Sequence, residues 1–154
     1  MTQPIAIRLL LPEDASAFAG LAAAYAGEMR HAPAPAPNVA AARRLLEDSK
    51  AEILGAFQQG TLIGFAILFD LPEAISGCRA GQIDDLYVAQ SARGKRLAQH
   101  LIEAIVDIGR TRNWVHLRWL VPEDNHAAQA AYDRLAERAP WLSYAIWLNG
   151  TERW

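Results

Sequence analysis

Six consecutive residues, Arg93-Gly94-Lys95-Arg96-Leu97-Ala98, set three cations and a glycine between a strand-like run, 82–88, and an amphipathic stretch, 95–112. A strand, a basic turn and a helix start in that order make an anion site. Free N–H groups at the helix start point outward, and the helix dipole adds partial positive charge. Gly94 lets a phosphate approach the backbone closely. Such a turn alone is a weak signal, because ordinary loops also carry Arg-Gly pairs. A second segment, Asn125-His126-Ala127-Ala128-Gln129-Ala130-Ala131-Tyr132, strengthens it. Asn125 and Tyr132 lie seven apart, two helical turns on about one face, and small Ala128 between them leaves room for a ligand. The plainer reading is a helix cap at Asn125 and a core aromatic at Tyr132.

The elements that must position these residues follow from periodicity. Residues 5–11 read as a strand. Pro12-Glu13-Asp14 starts a helix, with Phe18, Leu21 and Tyr25 on one face. Alternating prolines at 33, 35 and 37 break that helix into a stiff loop, either a connector or a rim over a ligand site. Asn38 can cap a second helix over 39–49. Residues 51–58 and 62–69 form strands around Gln59-Gly60-Thr61, with a loop over 71–77 and a further strand over 82–88. Leu97, Leu101, Ile105 and Ile108 share one face of the helix over 95–112. Residues 115–121 form a strand, 125–138 a helix and 141–148 a last strand. The order is β-α-α-β-β-β-α-β-α-β. The strands 82–88 and 115–121 should be parallel, with ligands at the carboxyl end of the first. Trp141 and Trp147 read as core, while Trp154 suits a core or dimer contact.

Composition narrows the classes. The 154 residues suit one domain, and 52% apolar with 21% charged residues reads as globular. A net charge of −2 argues against a nucleic-acid or polybasic membrane partner. No transmembrane span or signal peptide is visible. Cys78 stands alone, so no disulfide can form within the chain, and a cytoplasmic setting fits. His31, His100, His116 and His126 lack ligand spacing and acidic or thiol companions, so no metal is expected.

The motif pair resembles the GNAT acetyltransferase superfamily. Its acetyl-CoA loop reads Arg/Gln-x-x-Gly-x-Gly/Ala, and its second motif reads Asn-x-x-Ala-x-x-x-Tyr. Gly64-Phe65-Ala66, then residues 84–88, then the aromatic C-terminal stretch look most similar to the diamine and thialysine acetyltransferase branch. The resemblance implies an α/β (α+β) three-layer fold over 1–154, with a central mixed sheet of about six to seven strands and about four helices. It implies acetyl-CoA as cosubstrate and a small primary amine or amino-acid side chain as acceptor; a protein N-terminus or lysine is less favoured. The backbone of Leu86, Tyr87 and Val88 would lie on the pantetheine arm. Arg93 and the turn Gly94, Lys95, Arg96, Leu97, Ala98 and Gln99 would hold the pyrophosphate, with Asn125 and Ala128 alongside. Tyr132 is then the candidate general acid: a phenol of pKa about 10 can protonate a departing thiolate of pKa about 8.5. Asp84 or Asp85 would take the amine's proton. Strand neighbours face opposite sides, so at most one of them enters the site, and the resemblance favours Asp84. Tyr25 and Glu28, with Asp84, would border the acceptor.

Three departures stand out. Arg96 replaces the family's central glycine, Gln90 replaces a proline, and Ala136-Glu137 replaces a Gly-Phe pair. The change at Arg96 keeps a second function in view, a non-catalytic acyl-CoA sensor or regulatory partner. A homodimer is compatible with the aromatic last strand.

Overall fold

The computed structural model describes residues 3–148 and 150. The apolar runs become one five-stranded sheet: β1 (Ile5–Leu9), β2 (Ala51–Gln58), β3 (Thr61–Glu73), β4 (Cys78–Val88) and β5 (Trp114–Trp119), side by side in that order. The first four strands are mutually antiparallel, and β5 lies parallel to β4. Four α-helices flank the sheet: α1 (Ala15–Met29), α2 (Val39–Glu47), α3 (Leu97–Thr111) and α4 (His126–Tyr132).

Strands β2 and β3 are buried on both faces, which is why they read as continuous apolar runs rather than alternating ones. On one face, α1 and α2 cover Phe18, Ala42, Ile53, Phe65, Ile67 and Tyr87. On the other, Leu97, Leu101, Ile102 and Ile105 of α3 pack on Leu54, Ala66, Leu68 and Ile83. The sandwich is three layers with two apolar cores. Asn38 caps α2, its side chain accepting from the Ala41 N–H at 2.9 Å.

Several sequence expectations are corrected. The sheet has five strands among the described residues, not six or seven. Residues 141–148 form no strand, and Trp141 and Trp147 are exposed rather than core. Trp154 lies outside the described residues. The expected loop over 71–77 is shorter, with residues 71–73 in β3 and only 74–77 in the turn, because β3 and β4 continue as a hairpin to Glu73↔Cys78. Its tight turn is tied by the Glu73 carboxylate, which accepts from the N–H groups of Ile75 and Ser76 and from the Ser76 hydroxyl at 2.6 Å. The helix expected over 125–138 ends at Tyr132, where the chain turns and the Tyr132 carbonyl accepts from the Leu135 and Ala136 N–H groups.

Candidate active site

β4 has two unlike halves. From Arg79 to Ile83 it pairs with β5, the last partners being Ile83↔Trp119. Beyond Ile83 the two strands part, so residues 84–88 pair with β3 on one side only. The other side is an open backbone edge of the kind that accepts an added extended chain. It points toward the start of α3.

A bulge sits where the strands part. Ile67 faces Asp85 and Leu68 faces Ile83, which leaves Asp84 as the extra residue. Ile83 therefore packs toward α3, while Asp85 and Tyr87 turn toward α1. Simple alternation would have put all three on one face. Both aspartates act electrostatically on the Tyr25 phenol, but only Asp85 is within hydrogen-bonding reach of it. They differ in setting. Asp84 is exposed and accepts from Gln82 Nε2 at 3.3 Å, whereas Asp85 is half-buried within hydrogen-bonding reach of Tyr25. Burial pushes the Asp85 carboxyl up; the Tyr25 phenol opposes that shift, and the neighbouring Asp84 charge adds to it. No cation pairs with either aspartate among the described residues.

Tyr25 is fixed by an aromatic cluster. Its ring lies 5.9 Å from Phe65 and 5.5 Å from Tyr87, and Phe18 meets Phe65 edge-on at 5.1 Å. Burial and then the Asp85 carboxylate raise its phenol well above the ordinary tyrosine value. Tyr132 reaches the same place from α4. It stacks edge-on against Trp119 at 5.5 Å, and burial raises its phenol too. The two phenols are close enough for Tyr132 to act on the titration of Tyr25. One residue from α1, two from β4 and one from α4 thus converge where the sheet opens. Both phenols stay protonated at neutral pH, and Asp85 is more basic than an ordinary aspartate.

The basic turn departs from expectation in detail. The Arg93 guanidinium folds away from the helix start: it pairs with Glu28 at 2.6 Å, and its Nε donates to the Val88 carbonyl at 3.1 Å. The Tyr87 hydroxyl donates to the other Glu28 oxygen at 3.0 Å. Arg93 and Glu28 therefore clamp the turn to α1, and the charge of each is already matched. Nothing in the sequence joined residues 65 apart, so this pair was not foreseeable. Gly94 and Arg96 both take positive φ, +80° and +56°. Arg96 keeps the left-handed conformation that a glycine adopts freely, at a strain of about 1 kcal/mol for a side-chain-bearing residue. It is the N-cap residue of α3 and has no side-chain capping bond, so Leu97, Ala98 and Gln99 carry the outward N–H groups. A Cβ at Gly94 would meet no atom within 4 Å, so that surface is open to a ligand. Asn125 is a cap, accepting from the Ala128 N–H at 3.2 Å.

A cleft of about 870 Å³ runs beside this cluster, lined by Leu21, Glu28, the proline loop, Tyr87 and Gln90. The proline loop is pinned to α1 by the Ala32 N–H donating to the Gly27 carbonyl at 2.9 Å. A Cβ on Gly27 would stand 2.8 Å from Ala34 Cα, so only glycine permits that approach. The loop is thus a wall of the cleft.

The acetyltransferase (GNAT) family model matches residues 19–136, and the chain belongs to that family. A ribosomal-protein-alanine N-acetyltransferase from Brucella melitensis biovar Abortus 2308 is 38% identical, with 94% of this chain and 99% of that one covered and a TM-score of 0.84. An aminoglycoside acetyltransferase from an uncultured soil metagenomic sample is 24% identical over 95% of this chain and 99% of that one, with a TM-score of 0.77. A possible acetyltransferase from Clostridium difficile 630 is 19% identical over 94% and 98%, with a TM-score of 0.81. The last two likenesses show the fold alone. No curated protein matches the chain. The protein is an N-acetyltransferase enzyme of the GNAT fold.

Proposed function

We propose that the enzyme transfers acetyl from acetyl-CoA to a primary amine that reaches the open end of the sheet from the cleft beside α1. The observation that carries this is the convergence of Tyr25, Asp85 and Tyr132 beside an unpaired stretch of β4 that leads to the start of α3. The residues present fit the cosubstrate. The open edge at Leu86, Tyr87 and Val88 suits an amide-bearing extended arm, and the turn from Gly94 to Gln99 offers backbone N–H groups to a pyrophosphate. When bound, acetyl-CoA supplies the thioester carbonyl that the amine attacks.

The side chains then divide the proton work. An amine of lysine type has a pKa of about 10.4 and arrives as ammonium. Asp85 is the acceptor for its proton, because its raised carboxyl is a stronger base than an ordinary aspartate. Asp84, exposed beside it, attracts the cation. The amine nitrogen bonds to the acetyl carbon as the carbon–sulfur bond breaks. Tyr132 donates its phenolic proton to the leaving thiolate, and the second proton, lost by the nitrogen once it is acetylated, restores the phenol. Tyr25 orients Asp85, and Glu28 with Arg93 fixes the cleft wall.

Two acceptor classes are favoured by separate observations. The resemblance to the diamine and thialysine branch, with two aspartates at the site, supports a small flexible amine. The name of the 38% identical relative supports the α-amine of an alanine at a protein N-terminus. The test is thiol release from acetyl-CoA with polyamines, free amino acids and alanine-initiated peptides, each compared with no amine. Stimulation by one class identifies the acceptor. If acetyl-CoA binds but no amine stimulates release, the sensor reading replaces this one.

A further inference from the structure

The face of β4 and β5 on the α1 side carries a row of polar residues beside the two aspartates. Gln82 of β4 lies next to Arg118 of β5 in the parallel register. Ile83 packs toward α3, so its neighbour Gln82 takes the opposite face. Asp84 shares that face, since its carboxylate is hydrogen-bonded to the Gln82 side chain. The core under α1 and α2 draws on β2, β3 and the upper end of β4, but on no residue of β5. The row therefore stays open to solvent, with Arg118 and Asp84 exposed and Gln82 half-buried.

The row is ordered by charge. Arg118 Nη2 donates to Gln82 Oε1 at 3.3 Å, and Gln82 Nε2 donates to Asp84 Oδ1 at 3.3 Å. The amide is a spacer: it holds cation and carboxylate apart where a direct ion pair would have neutralised both. An exposed arginine is ordinary in itself. This one differs from the arginines around it. Arg79, Arg93 and Arg112 each grip a carboxylate. Among the described residues, the partners of Arg118 are uncharged, the Gln82 amide oxygen and the Trp141 ring, 6.0 Å from the guanidinium carbon. One long bond leaves most of its N–H donors open, and a guanidinium is best matched by a planar carboxylate.

We infer that the acceptor carries a carboxylate besides its amine, and that Arg118 binds this carboxylate while Gln82 sets its distance from the reacting end. The inference rests on the acceptor reading above, in which the ammonium group goes to Asp84 and Asp85. An acceptor lying along the row then meets charges that run opposite to its own. Two hydrogen bonds with an amide head between them put the guanidinium roughly 7–9 Å from the Asp84 carboxylate. That span suits an amine and a carboxylate separated by roughly four to six carbons, at about 1.3 Å per carbon of an extended chain. A second ammonium group at that spacing would face the guanidinium and be repelled. A free amino acid with a terminal side-chain amine offers this chemistry, and so does a peptide whose N-terminal residue is followed by an acidic one.

The test measures kcat/KM for thiol release from acetyl-CoA with acceptors paired so that only the carboxylate differs. One pair is ω-aminohexanoate and its amide, for a free amino acid. The other is alanyl-glutamyl amide and alanyl-glutaminyl amide, for a peptide. The inference predicts a preference of about 10-fold or more for the carboxylate in at least one pair, carried by KM. Arg118→Gln should abolish that preference by slowing the carboxylate member, and Arg118→Glu should turn it toward cadaverine. A thermal melt checks that each variant folds. If one does not, the wild-type preference and its decline with added salt decide. Equal kcat/KM within both pairs overturns the inference and leaves the acceptor reading in place. A preference that survives in folded Arg118→Gln does the same. If no amine stimulates release, the acceptor reading falls and this inference with it.

Discussion

The two ends of the β4–β5 pair treat half-buried aspartates in opposite ways. At the closed end, Asp70 lies between Arg79 at 2.5 Å and Arg112 at 3.3 Å, and Arg112 also grips Glu52 through two bonds. Burial pushes the Asp70 carboxyl up, but the two guanidiniums outweigh it and hold the group below the usual range. At the open end, Asp85 is half-buried with a phenol and another aspartate for neighbours, and its carboxyl is raised. The first arrangement holds strands together. The second keeps a carboxylate basic where two strands part, an arrangement that serves chemistry better than stability.

The largest expected effect is on turnover. Tyr132→Phe should lower the amine-stimulated rate by about 10²-fold or more, as loss of a general acid does, with little change in melting temperature. Steady-state kinetics beside a thermal melt checks both halves. Trp114 offers the converse break at the closed end. A Cβ on Gly81 would come within 2.2 Å of its ring, so Gly81→Ala should destabilise the fold by about 1–3 kcal/mol. The folded fraction should retain its activity, which denaturant titration with activity normalised to folded protein would show.

The pH dependence of stability separates the two aspartates by sign. Asp70 has a depressed folded pKa. Its contribution is therefore present above the unfolded value near 3.8 and is lost as pH falls through the folded value. Asp85 has a raised one. Between about 3.8 and that raised value the folded form binds a proton that the unfolded chain does not, so stability rises as pH falls there. Denaturation curves from pH 3 to 7 should show Asp85→Asn flattening the upper part of this range and Asp70→Asn the lower. The smallest effect is at the turn. Arg96→Gly should relieve the left-handed strain and raise stability by about 1 kcal/mol, less the flexibility glycine adds to the unfolded chain.

The open end was more legible in the sequence than the closed one. The strand, basic turn and helix around residue 94 follow from periodicity and composition, and both asparagine caps could be read from their positions. The bulge at Asp84 could not, because a one-residue shift of pairing leaves no mark on residue type, and it changes which face each aspartate takes. The Arg112–Glu52–Asp70 network escaped notice because it joins residues brought together only by the sheet. The pairing of Arg93 with Glu28 was not legible, because its partner lies on a distant helix. Residues 141–148 have a strand's composition, yet the chain forms no strand there, because composition does not supply a pairing edge.

The most direct test of the central claim sets the two aspartates against each other. Amine-dependent thiol release from acetyl-CoA should be measured for Asp85→Asn and Asp70→Asn at neutral pH, at a temperature where both are folded. The account predicts that Asp85→Asn loses about 10²-fold or more in kcat/KM while Asp70→Asn stays within a few-fold of wild type. Wild-type turnover in Asp85→Asn, or an equal loss in both, would contradict it.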